Sequence, residues 1–227
     1  FGSTARQSTM LMADPTRLAL SYTRCMVGGL LLAPPPCSAL LLGLGGGSLP
    51  KFLLHNFAEC RIDVVEMRAR VVAVARRYFA LPEDKRLALH VQKAERFLSR
   101  TDTGPYDWLL VDLYNRDGMA SVLDEPDFFL RCRQLLSERA VLSVNLWTGN
   151  RAGFLDRIRT RLTETFGGSV LLLPVAGKSN TVALAFNVSM PALNDPRMHQ
   201  RAAQLQTLYG IEFVDFLRDL RYHNKVG

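Results

Sequence analysis

From Leu40 to Phe186 the chain alternates short apolar runs with amphipathic segments, and this alternation constrains the fold more than any other feature. Leu40–Leu42, Ile62–Val65, "RLALHV", "DWLLVD" and "AVLSVNL" each read as a strand, the third with Leu87, Leu89 and Val91 on one side. Helical segments fall between and after them. One lies near Leu49–Phe57, with Ser48 as its cap and Pro50 in its first turn. Another sets Val71, Val74, Ala75 and Tyr78 at i, i+3, i+4 and i+7 on one face; "KAERFLS", Asp127–Leu136 and residues 151–166 supply the rest. Strand–helix alternation dictates a parallel sheet with helices on both faces. "SVLLLP" and "TVALAF" are joined only by "VAGKSN", too short for a parallel crossover, so they form an antiparallel hairpin. The expected fold is α/β, a doubly wound and mostly parallel seven-stranded sheet with a terminal antiparallel hairpin. Residues 1–38 fit as an entrance segment or the remnant of a small N-terminal domain, 39–190 as the main domain, and 191–227 as a helical extension. That extension starts a helix at Asp195–Pro196 and carries Phe213, Phe216, Leu217 and Leu220 on a second.

Composition narrows the function classes. The apolar fraction is 48% of 227 residues, enough for a sizeable core. The most apolar window, "VGGLLLAPPPCSALLLGLGGG", is cut by prolines and glycines and makes no membrane span. "FGSTARQSTM" shows no export signal, though residue 1 is not methionine, so the natural start need not lie within these residues. Cys25, Cys37, Cys60 and Cys132 are scattered and read as buried free thiols of a cytoplasmic protein. The four histidines are equally dispersed, so no metal site is expected. Net charge is +7, but arginines recur at helical spacing, as in "RARVVAVARRYF", which describes a solvated face rather than a nucleic-acid surface.

The junction "GLGGGS" carries the chemistry. Gly43, Gly45 and Gly47 follow a strand and precede a helix, where the absence of side chains lets backbone approach a ligand closely. Glu66 closes the next strand, placed to accept hydrogen bonds from both hydroxyls of a ribose. Together they point to an adenosine-type ligand. Ser48 stands where a dinucleotide fingerprint has glycine or alanine, and the sheet closes on a hairpin. Both features favour S-adenosylmethionine or a relative over NAD. The hairpin is typical of the Rossmann-like, class I methyltransferase fold.

The residues also resemble a family. "LLLGLGGGS", "DVVEMRARVVAVARRYFAL", "YDWLLVDLYN" and "SYTR" are similar to motifs of the spermidine synthase (polyamine aminopropyltransferase) family, over roughly residues 7–186. The resemblance implies decarboxylated S-adenosylmethionine as co-substrate and an amine acceptor such as putrescine. It assigns Glu66 to the ribose, Asp112 to the attacking amine with help from Tyr22, and Gln7 to the substrate. It also implies a homodimer. The chain departs from the family pattern in three places. Asn115 replaces the second acid of "DxxD", Lys93 stands where an aspartate accepts from adenine, and Thr23 and Arg24 replace a histidine and a glutamate. An ammonium has donors only, so Lys93 cannot do that aspartate's task. Each change moves the pocket toward positive charge, which Asp117 would partly restore. A methyltransferase acting on a neutral or anionic acceptor, and a non-catalytic homologue, therefore remain open beside aminopropyl transfer.

Overall fold

The computed structural model describes residues 8–100, 102–115, 118–147, 153–188 and 192–224. In chain order the strands are β1 (Ser38–Leu42), β2 (Arg61–Glu66), β3 (Leu87–Val91), β4 (Tyr106–Val111), β5 (Tyr114–Asn115), β6 (Gly118–Met119), β7 (Leu136–Trp147), β8 (Val170–Pro174) and β9 (Asn180–Phe186). The helices are α1 (Ser21–Met26), α2 (Ser48–Asn56), α3 (Ala69–Tyr78), α4 (Ala94–Leu98), α5 (Phe128–Gln134), α6 (Phe154–Thr165), α7 (Arg197–Tyr209) and α8 (Phe213–His223). Short 3₁₀ turns cover Val27–Leu31 and Ser121–Asp124.

One seven-stranded sheet has the order β3-β2-β1-β4-β7-β9-β8. The first five strands run parallel, and β9 pairs antiparallel with both β7 and β8. This is the doubly wound sheet with a terminal hairpin that the apolar periodicity predicts. A two-stranded ribbon of β5 and β6, which the periodicity does not reveal, follows β4.

Side-chain alternation splits the core into two layers. Ala39 and Leu41 of β1, Val141 of β7, and Val182 and Leu184 of β9 face α1, the first 3₁₀ turn, α2, α3, α7 and α8. Leu40, Leu42, Leu142, Val144, Ala183 and Ala185 face α4, α5 and α6. On β7 the period brings Ser143 and Asn145, both buried, to the α1 side with Val141. Ser143 is satisfied there by the Trp108 indole, which donates to its Oγ at 3.0 Å.

Three local expectations change. Gly47, with φ 72°, precedes α2 as its N-cap, and Ser48 is the first helical residue with no capping bond; a left-handed turn at this junction suits glycine and disfavours serine. On α3 only Val71 and Ala75 are buried, while Tyr78 is 61% exposed. The helix joins β2 to β3, the edge strand of the sheet. Cys37 is exposed, before β1, whereas burial pushes the Cys25 and Cys60 thiols up to about 12.

Residues before β1 join the same core: Met26 and Val27 are fully buried under α7 and α8. Arg201 of α7 fixes this segment by donating to the carbonyls of Leu30 and Ala33 at 2.7 Å each. At the far edge, Asn224 substitutes for a neighbouring strand. Its side-chain amide accepts from Leu172 N at 2.7 Å and donates to Leu172 O at 2.8 Å. Among the described residues, no helix is long and apolar enough to cross a membrane.

Phe213 anchors α8, fully buried and edge-on to Phe216 with ring centroids 5.7 Å apart. Phe213→Ala is expected to cost about 3–5 kcal/mol of stability, read from urea unfolding, because α8 cannot collapse into the void without leaving β8.

Candidate active site

The strand order places a topological switch between β1 and β4, whose crossovers leave in opposite directions; ligands of such sheets bind outside the carboxyl ends there. Gly43 follows β1 and Asp112 follows β4. The Asp112 amide donates to Leu42 O at 2.9 Å and the Gly43 amide to Val65 O at 2.8 Å, so both loops leave the sheet in register. Gly43 takes φ 98°, and a Cβ built on it would stand 2.3 Å from the Asp112 carbonyl oxygen. No side chain fits between the two loops.

The glycine loop then closes through a bond from Gly47 N to Leu44 O at 2.9 Å. Gly45 also has a positive φ, 55°. Glu66 ends β2 with 6% exposure and its carboxylate turned toward this loop. Its Oε2 accepts from Leu44 N at 3.3 Å and its Oε1 from Arg68 N at 3.0 Å. Ser8 lies over the loop, its Oγ accepting from Gly46 N at 2.9 Å.

Asp112 is the centre of a polar cluster. Tyr22, on α1, donates its hydroxyl to Oδ2 at 3.2 Å. Asn145, on β7, donates Nδ2 to Oδ1 at 2.8 Å, and Asn180 Nδ2 donates to Asn145 Oδ1 at 3.0 Å. Tyr114 donates to the Asn145 carbonyl at 3.3 Å. Burial pushes the Asp112 carboxyl above its usual range, while the Asn145 and Tyr22 bonds pull it down. Burial, then the Asp112 charge, pushes the Tyr22 phenol well up, so Tyr22 stays a neutral donor at ordinary pH. A small cavity of ≈ 20 Å³ is bounded by Ser8, Leu20, Tyr22, the glycine loop and Asp112.

Gly43, Gly45, Gly47, Glu66, Tyr22 and Asp112 thus gather at one end of the sheet. Lys93 does not join them by any bond; it is exposed at the N-cap of α4, two residues beyond Val91, the register partner of Glu66. Asn115 pairs its backbone with Gly118 in the ribbon. Gln7 and Asp117 lie outside the described residues. Arg24 departs from the expected charge pattern. Its Nε donates to both Glu212 oxygens at 2.9 Å and its Nη1 to the carbonyls of Leu18 and Ala19. Its charge is therefore compensated, and Arg24 lies away from Asp112. It lines a larger cleft of ≈ 410 Å³ between residues 11–24, α2 and the α7–α8 turn. That cleft contains none of the glycine loop, Glu66 or Asp112, so size alone does not locate the chemistry. Asn145, Asn180, Tyr114 and Ser8 were not singled out by the sequence; the two polar residues in "AVLSVNL" are the signal that finds Asn145.

No protein-family model matches the chain. A polyamine aminopropyltransferase of Chromobacterium violaceum is 33% identical over 226 residues, covering 99% of this chain and 85% of the relative. The chain belongs to the polyamine aminopropyltransferase family. The fold of this aminopropyltransferase-family chain is shared more widely. Human methyltransferase-like protein 13, solved in complex with SAH, superposes with a TM-score of 0.76 at 22% identity, over 85% of this chain and 93% of that one. A spermidine synthase solved with the transition-state analogue AdoDATO gives 0.60 at 17% identity, over 82% and 75% of the two chains. The aminopropyltransferase-family sheet is accordingly of the class I methyltransferase-like type.

Gly43→Ala tests the loop contact. Its methyl meets backbone and forces a left-handed alanine, so a loss of more than about 1 kcal/mol is expected in thermal unfolding. Gly45→Ala, whose Cβ meets only the Ser8 hydroxyl at 3.1 Å, is expected to lose less.

Proposed function

We propose that the chain is a spermidine synthase-like transferase that moves an aminopropyl group from decarboxylated S-adenosylmethionine to an amine. Family membership supports this reading, and one observation carries it: a carboxylate with a phenol bonded to it stands against the glycine loop at the switch point. In this reading the loop backbone and Glu66 hold the adenosine, Glu66 accepting from the ribose hydroxyls. Gln7 and Asn115 are assigned to the substrate, and Lys93 to the rim of the adenine end.

Asp112 receives the proton. An ammonium has no lone pair with which to attack carbon, so the acceptor must first be neutral. Asp112, with the Tyr22 hydroxyl on Oδ2, takes a proton from the ammonium, and the freed lone pair of its nitrogen then bonds to the aminopropyl carbon next to sulfur. The carbon–sulfur bond breaks, its electron pair neutralises the sulfonium, and methylthioadenosine leaves. The sulfonium is already a good leaving group, so orientation supplies much of the remaining acceleration. The acceptor is a small amine, the protein is cytoplasmic, and two copies associate as a homodimer; these parts rest on family membership alone.

Methyl transfer from intact S-adenosylmethionine is the second reading. It is favoured by the superposition on methyltransferase-like protein 13 and by Asn115 in place of a second acid.

Release of methylthioadenosine from the decarboxylated co-substrate in the presence of di- and monoamines is the deciding measurement. Turnover with at least one amine is expected; no release with any of them, together with tighter calorimetric binding of intact S-adenosylmethionine, transfers the case to the methyltransferase. Since Asp112 must be ionised to take the proton and burial raises its carboxyl, kcat/KM is expected to fall as pH drops through a value above the ~3.9 of a free aspartate. Asp112→Asn removes the base and is expected to cost about 10²–10⁴ in kcat.

A further inference from the structure

We infer that Asn145, with its amide direction locked by Asn180, is the positioning residue that keeps Asp112 ionised and turns its Oδ2 toward Tyr22. The inference rests on Asp112 being the base. Asn145 is 3% exposed, near the carboxyl end of β7, where a buried amide costs free energy unless it is fully bonded. A lone side-chain amide can present either its NH₂ or its oxygen to a neighbour, since rotation by half a turn exchanges them. Presented oxygen-first, it would repel a carboxylate and favour a protonated Asp112.

The surroundings remove that choice. Asn180 Nδ2 donates to Asn145 Oδ1 at 3.0 Å, so only the Asn145 NH₂ is left for Asp112 Oδ1, at 2.8 Å. Tyr114 donates to the Asn145 backbone carbonyl at 3.3 Å, and the Asn180 amide counters the rise that burial gives the Tyr114 phenol. Groups from β5, β7 and β9 thus enforce one direction of donation. With Oδ1 occupied, Oδ2 is the oxygen shared with Tyr22, which borders the same cavity as Asp112.

The lock depends on the terminal hairpin. β9 runs antiparallel to β7, pairing Asn180 with Trp147 and Val182 with Asn145. That register sets Asn180 on the same face as Asn145, beside the carboxyl end of β7. The titratable groups facing Asp112 are the phenols of Tyr22 from α1 and Tyr114 from β5, both driven up by burial and so neutral. Among the described residues no charged side chain acts on Asp112 through space. Burial raises its carboxyl, and the opposing pull comes from two neutral donors, of which Asn145 makes the shorter bond.

Carboxyl-¹³C NMR of the full chain, labelled at aspartate and assigned with Asp112→Asn, reads the titration of Asp112 without any turnover. Asn145→Leu, close in shape but lacking a donor, is expected to raise the midpoint by about one to two pH units. Asn180→Leu, which leaves every direct bond to Asp112 in place, is expected to raise it in the same direction by releasing the Asn145 amide. Methylthioadenosine affinity should stay at the wild-type value, and the acid limb of kcat/KM should move with the NMR midpoint. An unchanged midpoint in folded Asn145→Leu overturns the inference; should that variant not fold, an unchanged midpoint in Asn180→Leu overturns the lock. Absence of turnover in the wild type defeats the proposed reaction instead, and leaves the titration to decide the role of Asn145.

Discussion

The contact between Gly43 and the Asp112 carbonyl is the constraint from which the site follows. At the switch point the connections after β1 and β4 leave in opposite directions, yet their loops first touch with no side chain between them. The glycine loop and the carboxylate are therefore held in one frame, fixed by the register Leu42–Val111 one residue earlier. Glu66 enters that frame from β2 through the Leu44 amide, and Tyr22 from α1 through the carboxylate itself. Four separate segments of chain meet at this point because the sheet order reverses there.

Charge is handled differently at the two ends of the α1 region. Arg24 is satisfied by Glu212 and two carbonyls, so a residue that in sequence looks like a repulsive element near a cationic substrate is tied to α8 instead. Its position there also explains why Arg24 and Glu212, far apart in the chain, belong together: the pair joins the segment before β1 to the C-terminal helices. Around Asp112, by contrast, the donors among the described residues are neutral, and the carboxylate is met by hydrogen bonds rather than by ions. Such an arrangement holds an anion without placing a cation beside it.

Much of the fold was legible because its signals are local. Short apolar runs, one of them alternating, located all seven strands of the sheet, and the six-residue link before Thr181 required a hairpin. The glycine loop, Glu66, Asp112 and Tyr22 were found because each sits at a strand end or in a motif. What remained hidden depends on pairing between distant strands. Asn180 looks like a turn residue until β9 is set antiparallel against β7, and Asn145 looks like a flaw in an apolar run until Asp112 is placed beside it. Likewise Ser48 looks like a cap, but the loop needs its left-handed residue at Gly47. The direction of Arg24 could not be read either, since its partner arrives from a helix 188 residues away.

Asn224 also bears on how this sheet behaves in a crowded solution. The outward amides of the edge strand β8 are all consumed: Val170 donates to Gly168, Leu172 to Asn224, and Pro174 has none to offer. An edge without free donors cannot recruit a further strand. Fibre-like growth requires two sticky borders, one to join and one to pass the pattern on. With this border sealed, edge-to-edge addition through the sheet ends at a closed pair across β3.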